Sequence, residues 1–198
     1  MIKRVFDIAM SAIALVCLLP LFMVITLLII IDSKGGVFYK QVRVGKNKAD
    51  FKLYKFRTMV VNASRMGQLT IGSRDSRITR VGYWLRKYKL DELPQLINIL
   101  KGDMSFVGPR PEVRKYVDLY NAEQQRVFSV KPGLTDWASI QFCNENELLA
   151  QASNPEDFYI KEVMPEKLNK NLSYVDRHSL LTDCLIILLT LKKIVQLK

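Results

Sequence analysis

From Ile8 to Ile31 the chain carries no charged residue, and of these 24 positions only Ser11 and Thr26 are polar. A helix of that length reaches about 36 Å, against about 30 Å of bilayer hydrocarbon. The segment is membrane-embedded sequence. A cleaved signal peptide needs only about 7–15 apolar residues, and no small-x-small cleavage site follows Ile31, where the chain reads Asp-Ser-Lys-Gly-Gly. Pro20 falls inside the run. There it removes one backbone hydrogen bond and presses on the carbonyl of Val16. Basic residues stand on both flanks, Lys3 and Arg4 before and Lys34, Lys40 and Arg43 after, and positive flanks favour the cytoplasmic side. The residues leave two readings open. One is a straight span, the simpler of the two. The other is a helix broken at Pro20 that enters and leaves on one face.

Charge divides the remainder. Residues 1–33 are neutral overall, 34–101 hold sixteen basic and four acidic residues, and 102–198 hold twelve basic and thirteen acidic. The excess of +11 therefore lies in the middle third. Such a block attracts phosphates, whether of nucleic acid, lipid headgroups or a diphosphate substrate; a solvated basic face is the plain alternative. Three separated cysteines with no C-x-x-C pair suit a reducing compartment and exclude a disulfide scaffold or a cysteine zinc site. A single histidine, His178, argues against a Ser-His-Asp triad or a poly-His metal site. Chemistry here must run on carboxylates, Lys, Arg or hydroxyls. At 198 residues, 49% of them hydrophobic, the chain suffices for one domain, or one domain with an appendage.

The pattern after the apolar run predicts an α+β fold, helix-dominated, with a short β-hairpin. Val37–Val44 and Phe51–Met59 are β-branched and aromatic, separated by a polar break at Gly45–Asp50. The second run ends in Lys55-Phe56-Arg57-Thr58-Met59, read by itself as an edge strand with solvated cations. A loop containing Gly67, Gly72, Ser73 and Asp75 precedes helical spacing at Ile78, Val81, Leu85 and Tyr88. Leu90-Asp91-Glu92-Leu93-Pro94-Gln95 leads into a second helix, Leu96–Leu100, with Pro94 in its first turn and Asp91 at or near its N-cap. Capping alone explains such a pair in isolation. Yet Asp91 and Glu92 are two of the four carboxylates in the basic block, and together could hold a divalent cation facing phosphate oxygens. Arg110 stands between Pro109 and Pro111, on extended backbone suited to phosphate contact or to capping a helix carbonyl. The last third reads as a polar helix over Asn154–Asn171 and an apolar one over Ser179–Leu197. The uncharged core of the latter, Cys184–Leu191, is too short to span. It fits a core helix or one lying on a bilayer surface.

These residues carry a resemblance. The order apolar N-terminal helix, Lys-Phe-Arg-Thr-Met, Leu-Asp-Glu-Leu-Pro-Gln, Gly-Asp-Met-Ser-Phe-Val-Gly-Pro-Arg-Pro, then Pro132-Gly133-Leu134-Thr135 and Trp137 resembles the bacterial sugar transferases, monotopic phosphoglycosyl transferases in their minimal catalytic form. The resemblance implies transfer of a sugar phosphate from a UDP-sugar to undecaprenyl phosphate, with release of UMP. It implies Mg2+, and a covalent intermediate on Asp91. Glu92, with Asp91, would hold the metal. Arg110 would grip a phosphate, and Lys55, Arg57 and Arg86 would line the diphosphate site. It further implies that residues 1–33 form a re-entrant helix broken at Pro20, and that 34–198 form a catalytic domain on the cytoplasmic face of the bacterial inner membrane. The partners would be the lipid bilayer and later glycosyltransferases of a glycan pathway, with no nucleic acid. The chain departs from the family pattern at Leu19, where a serine commonly precedes the proline, and over Asp136–Cys143. The alternative class is a membrane-anchored basic module that binds anionic lipid or nucleic acid without catalysis. The ordered carboxylate pair and its companions separate the two, since electrostatic binding alone has no need of them.

Overall fold

A computed structural model describes residues 2–63, 69–72 and 75–196. Gly67 and Ser73 of the expected loop, and Leu197 at the end of the expected last helix, lie outside the described residues.

The apolar run forms two helices, α1 (Ile2–Cys17) and α2 (Leu19–Asp32), bent by 61° at their junction. Pro20 takes an early position of α2, where its missing N–H has no partner to lose. No side chain caps that start, so the bend rests on the proline and on the backbone bonds from Leu18 N to Ala14 O and from Phe22 N to Leu18 O. Among the described residues no single helix is long and apolar enough to cross a membrane.

The first turns of α1 are knit into the rest of the chain. Arg4 donates to the carbonyls of Ile99 (2.6 Å) and Leu100 (2.9 Å). Asp7, buried, accepts from the Phe106 N–H. Lys3 pairs with the buried Asp183 and donates to Val107 O at 3.1 Å.

β1 (Phe38–Val44) and β2 (Asp50–Phe56) pair antiparallel, in register Phe38 with Phe56 and Val44 with Asp50. The hairpin ends three residues before the expected Met59. Beyond it, Arg57, Thr58 and Met59 turn toward α3 (Arg80–Lys87), with Met59 bridging Ile78. α3 is N-capped by Thr79 and followed by a 3-10 turn, Leu90–Glu92, and by α4 (Gln95–Lys101). α4 packs on β2 and along α1, burying Leu53, Leu96, Ile99 and Met104 together.

A second sheet has two short parallel strands, β3 (Ser105–Val107) and β4 (Gly133–Thr135). The interval between them holds α5 (Arg114–Val117). Gly108 and Gly133 are where the strands come closest: a Cβ on Gly133 would collide with Gly108 backbone. After β4 come α6 (Trp137–Gln141), α7 (Glu145–Ala150), α8 (Pro155–Phe158), a π turn over Tyr159–Val163, α9 (Met164–Arg177) and α10 (Leu180–Gln196). The largest core joins Val113, Tyr116 and Val117 to Tyr159, Val163 and Leu168. α10 buries only Asp183 and Ile186, while Leu181, Leu188, Leu191 and Val195 stay exposed. It is a surface helix with an apolar outer face rather than a core helix.

Candidate active site

The basic block and the carboxylate pair meet around one open cavity of about 460 Å³. Lys55 reaches it from the end of β2, Arg86 from the last turn of α3, and Arg110 from the segment after β3. Asp91 and Glu92 enter from the 3-10 turn between α3 and α4. The head of that turn is Lys89, which holds a left-handed backbone (φ 57) and also lines the cavity. A non-glycine residue in that conformation is costly and collects at functional sites.

Glu92 is held on both sides. Lys55 Nζ donates to Glu92 Oε1 at 2.9 Å, and the Arg110 guanidinium grips both carboxylate oxygens. Burial alone would raise the Glu92 pKa, but Arg110 and then Lys55 outweigh it and hold this carboxyl well below the usual range. Asp91 behaves oppositely. It is buried, and no hydrogen bond to its carboxylate occurs among the described residues. Burial pushes its pKa up, with Lys55 opposing. Adjacent carboxylates thus have environments that drive them apart, a mark of functional pairs.

The expected N-cap role for Asp91 is corrected by the backbone. Pro94, not Asp91, stands at the N-cap of α4. The chain turns in 3-10 fashion ahead of it, with Leu93 N bonded to Leu90 O and Leu96 N to Leu93 O. This withdraws Asp91 from the helix amides, so capping does not account for it.

Arg110 is positioned by the parallel strands. Because β3 and β4 run the same way, the segments leaving them lie side by side, and Arg110 N donates to Asp136 Oδ2 at 3.0 Å. Asp136 is fully buried and also caps α6 through Ser139 N. Sequence reading missed this anchor, although an Asp ahead of Trp-Ala-Ser is a legible N-cap signal. Arg57 stands apart from the group around Glu92. Its guanidinium donates to Ser33 O (2.7 Å) and Lys34 O, closing the end of α2. Arg86 bonds Thr70 Oγ1 at 2.8 Å.

The resemblance makes Asp91 and Glu92 the metal ligands. Among the described residues no group of three or more His, Cys, Asp or Glu gathers in one place, so the chain builds no cage. Magnesium takes one or two carboxylates and completes its shell with water and phosphate oxygens; of this pair Asp91 carries no hydrogen bond among the described residues, while both Glu92 oxygens already engage Arg110 or Lys55 and would keep those partners beside a bound ion.

A profile of the family described as bacterial sugar transferase matches residues 1–197. The chain belongs to the bacterial sugar transferase family. It is 38% identical, over 98% of its length, to the UDP-N-acetylgalactosamine-undecaprenyl-phosphate N-acetylgalactosaminephosphotransferase of Aeromonas hydrophila, covering 43% of that protein. It is 38% identical to the uncharacterized sugar transferase EpsL of Bacillus subtilis, over 98% of this chain and 87% of the relative. The UDP-glucose:undecaprenyl-phosphate glucose-1-phosphate transferase of Escherichia coli is 34% identical over 98% of this chain and 40% of its own length. The chain thus spans less than half of two of these three relatives.

Proposed function

We propose that this chain transfers a sugar phosphate from a UDP-sugar to undecaprenyl phosphate, releasing UMP, with Asp91 as nucleophile. One observation carries the reading: a buried carboxylate with no hydrogen bond among the described residues lines the cavity beside a second that Lys55 and Arg110 hold in place. The relatives' names support the acceptor and the class of reaction.

An Asp91 oxygen attacks the phosphorus that bears the sugar. The bond from that phosphorus to the bridging oxygen breaks, and UMP leaves with the electron pair. An acyl phosphate now joins Asp91 to the sugar. An oxygen of undecaprenyl phosphate then attacks the same phosphorus, the bond to Asp91 breaks, and the carboxylate is regenerated as the lipid-linked sugar diphosphate departs. An ionised carboxylate needs no general base to attack, in keeping with a chain whose one histidine lies at the end of α9. Phosphoryl transfer depends on positioning and charge neutralisation. Lys55, Arg86 and Arg110 supply both from three separate elements. When bound by Glu92 with Asp91, magnesium would neutralise diphosphate charge.

In this reading α1 and α2 form a re-entrant hairpin, with both ends on the cytoplasmic side of the bacterial inner membrane. The apolar outer face of α10 rests on the same bilayer surface. The lipid-linked product passes to glycosyltransferases that extend it. Without lipid acceptor, UMP should form in a burst stoichiometric with enzyme, and sugar-labelled phosphate should remain on the protein; Asp91→Asn should lose both signals. Label retained on Asp91→Asn would move the nucleophile elsewhere, and a wild type that turns over without ever trapping label would mean direct attack by the lipid phosphate.

A further inference from the structure

One stretch of the cavity wall, termed its second limb, is not used by the proposed chemistry. Past Arg110 its wall passes to Glu112, which binds Arg43 (2.7 Å) and Tyr159 Oη (2.6 Å), and to the Lys167–Glu145 ion pair (2.7 Å). Asn171 completes it. This residue is 4% exposed, and its side-chain carbonyl has no hydrogen-bond partner. The Ser139 hydroxyl, on the same wall, is also buried and unpartnered. Met164, Lys167, Leu168 and Asn171 lie three, four and seven residues apart, so one face of α9 lines this limb. A buried amide left without a hydrogen bond costs stability, and such groups in a native fold ask for an explanation.

Resting on the function proposed above, we propose that this limb reads the sugar of the donor, with Asn171 and Ser139 bonding its ring substituents. Three features point to a sugar rather than to the base. First, the polar groups are a carboxylate-rich mixture of acceptors and donors, which matches a ring bearing several hydroxyls; a base offers one amide edge. Second, the tyrosine rings on this wall already pack on other rings, Tyr116 edge-on to Tyr159 and Tyr120 stacked on Phe128, which disfavours them as a platform for a base. Third, Glu112 follows Arg110 by two residues, about 7 Å of extended chain. The wall that bears Glu112 therefore begins close to the arginine proposed to hold the phosphate, where a ring attached directly to that phosphate would lie.

The test is UMP release by the membrane-embedded full chain with undecaprenyl phosphate and magnesium. The donors are UDP-glucose, UDP-galactose and their two N-acetylamino counterparts. Asn171→Leu keeps the branched shape of the side chain, adds volume on the side that faces the cavity, and removes the unpartnered carbonyl. It should leave the melting temperature equal or higher. The kcat/KM for the preferred sugar should fall by about tenfold or more relative to the others, as a lost hydrogen bond to a substrate hydroxyl does. KM for the lipid and inhibition by UDP should stay within about twofold. Ser139→Ala should shift the same preference in the same direction, guarding against a variant that fails to fold. If Asn171→Leu lowers the melting temperature and leaves sugar preference unchanged, a buried water in the adjoining cavity of about 20 Å³ satisfies the amide, and the proposal is overturned. Equal loss for every sugar, with weaker UDP inhibition, would overturn it in favour of the base. A wild type that releases UMP from no UDP-sugar would instead refute the function on which the proposal rests.

Discussion

Asp91 and Glu92 are neighbours in the chain with opposite electrostatic fates, and each fate has a consequence. Asp91 is buried, with no hydrogen bond to its carboxylate among the described residues, and burial raises its pKa above the ordinary Asp value. For an acid whose folded pKa is raised, stability falls as pH rises from the usual carboxylate value through the raised one, and the full cost remains above it. Asp91→Asn should therefore be at least as stable as wild type at neutral pH, by thermal melting, while losing turnover. Attack needs the ionised form, so kcat should fall with decreasing pH at a point above the ordinary Asp range. Glu92 is the reverse case. Its carboxyl is held well below its usual value, chiefly by Arg110 against burial, so its contribution is full above the unfolded value and lost as pH falls through the folded one. Glu92→Gln should then cost both stability and turnover. Arg110→Ala should lower kcat by about 10²–10³, the typical effect of losing one preorganised charge contact. Full activity of either variant, measured as UMP release, would contradict these roles.

The element that makes Arg110 useful is the smaller of the two sheets among the described residues. β3 and β4 carry two motifs more than twenty residues apart, and their parallel pairing sets Arg110 N on the Asp136 carboxylate. That pairing needs close backbone approach at Gly133, where a Cβ would strike Gly108. Gly133→Ala should destabilise by about 1–3 kcal/mol, in the range of overpacked sites. It should also lower kcat even in the fraction that remains folded, because Arg110 loses its anchor; denaturant melts paired with activity per folded molecule would separate the two effects. Arg57 makes a complementary point. Its two carbonyl partners at Ser33 and Lys34 tie the end of α2 to the end of β2, so a cation beside the site motif serves the helix junction.

At the scale of the whole molecule, the bent pair and the knitted start of α1 constrain topology together. Lys3, Arg4 and Asp7 all bond to residues of the later chain, and the end of α2 returns to β2 through Arg57. Both ends of the apolar pair therefore lie on one body. Cysteines introduced near Lys3 and near Lys34 should both label from the cytoplasmic side only, and labelling of the first from the periplasm would refute the re-entrant hairpin. Pro20→Ala restores the missing N–H and removes the clash with Val16. It should straighten the pair and send a fraction of molecules to a spanning form, read by the same labelling.

The sequence by itself determined the apolar character of the first sixth of the chain, the hairpin, the main helices and the candidate residues of the carboxylate–cation cluster. Each of these is written in local periodicity, charge or motif order. Lys55, Arg86, Asp91, Glu92 and Arg110 could be named without coordinates because the order of the motifs that carry them resembles that of a known family; Arg57, named on the same ground, stands apart from the group. Tertiary structure alone decided how they are used. That Lys55 and Arg110 both bind Glu92 and leave Asp91 free, that β3 pairs with β4, that Asp136 holds Arg110, and that Asn171 lies buried on the cavity wall all depend on contacts between distant segments. Sequence spacing carries no signal for such contacts. Asp91 shows the limit most clearly, since an Asp ahead of Pro and an apolar helix reads as a cap, and only the 3-10 backbone between α3 and α4 turns it away from the amides it would have capped.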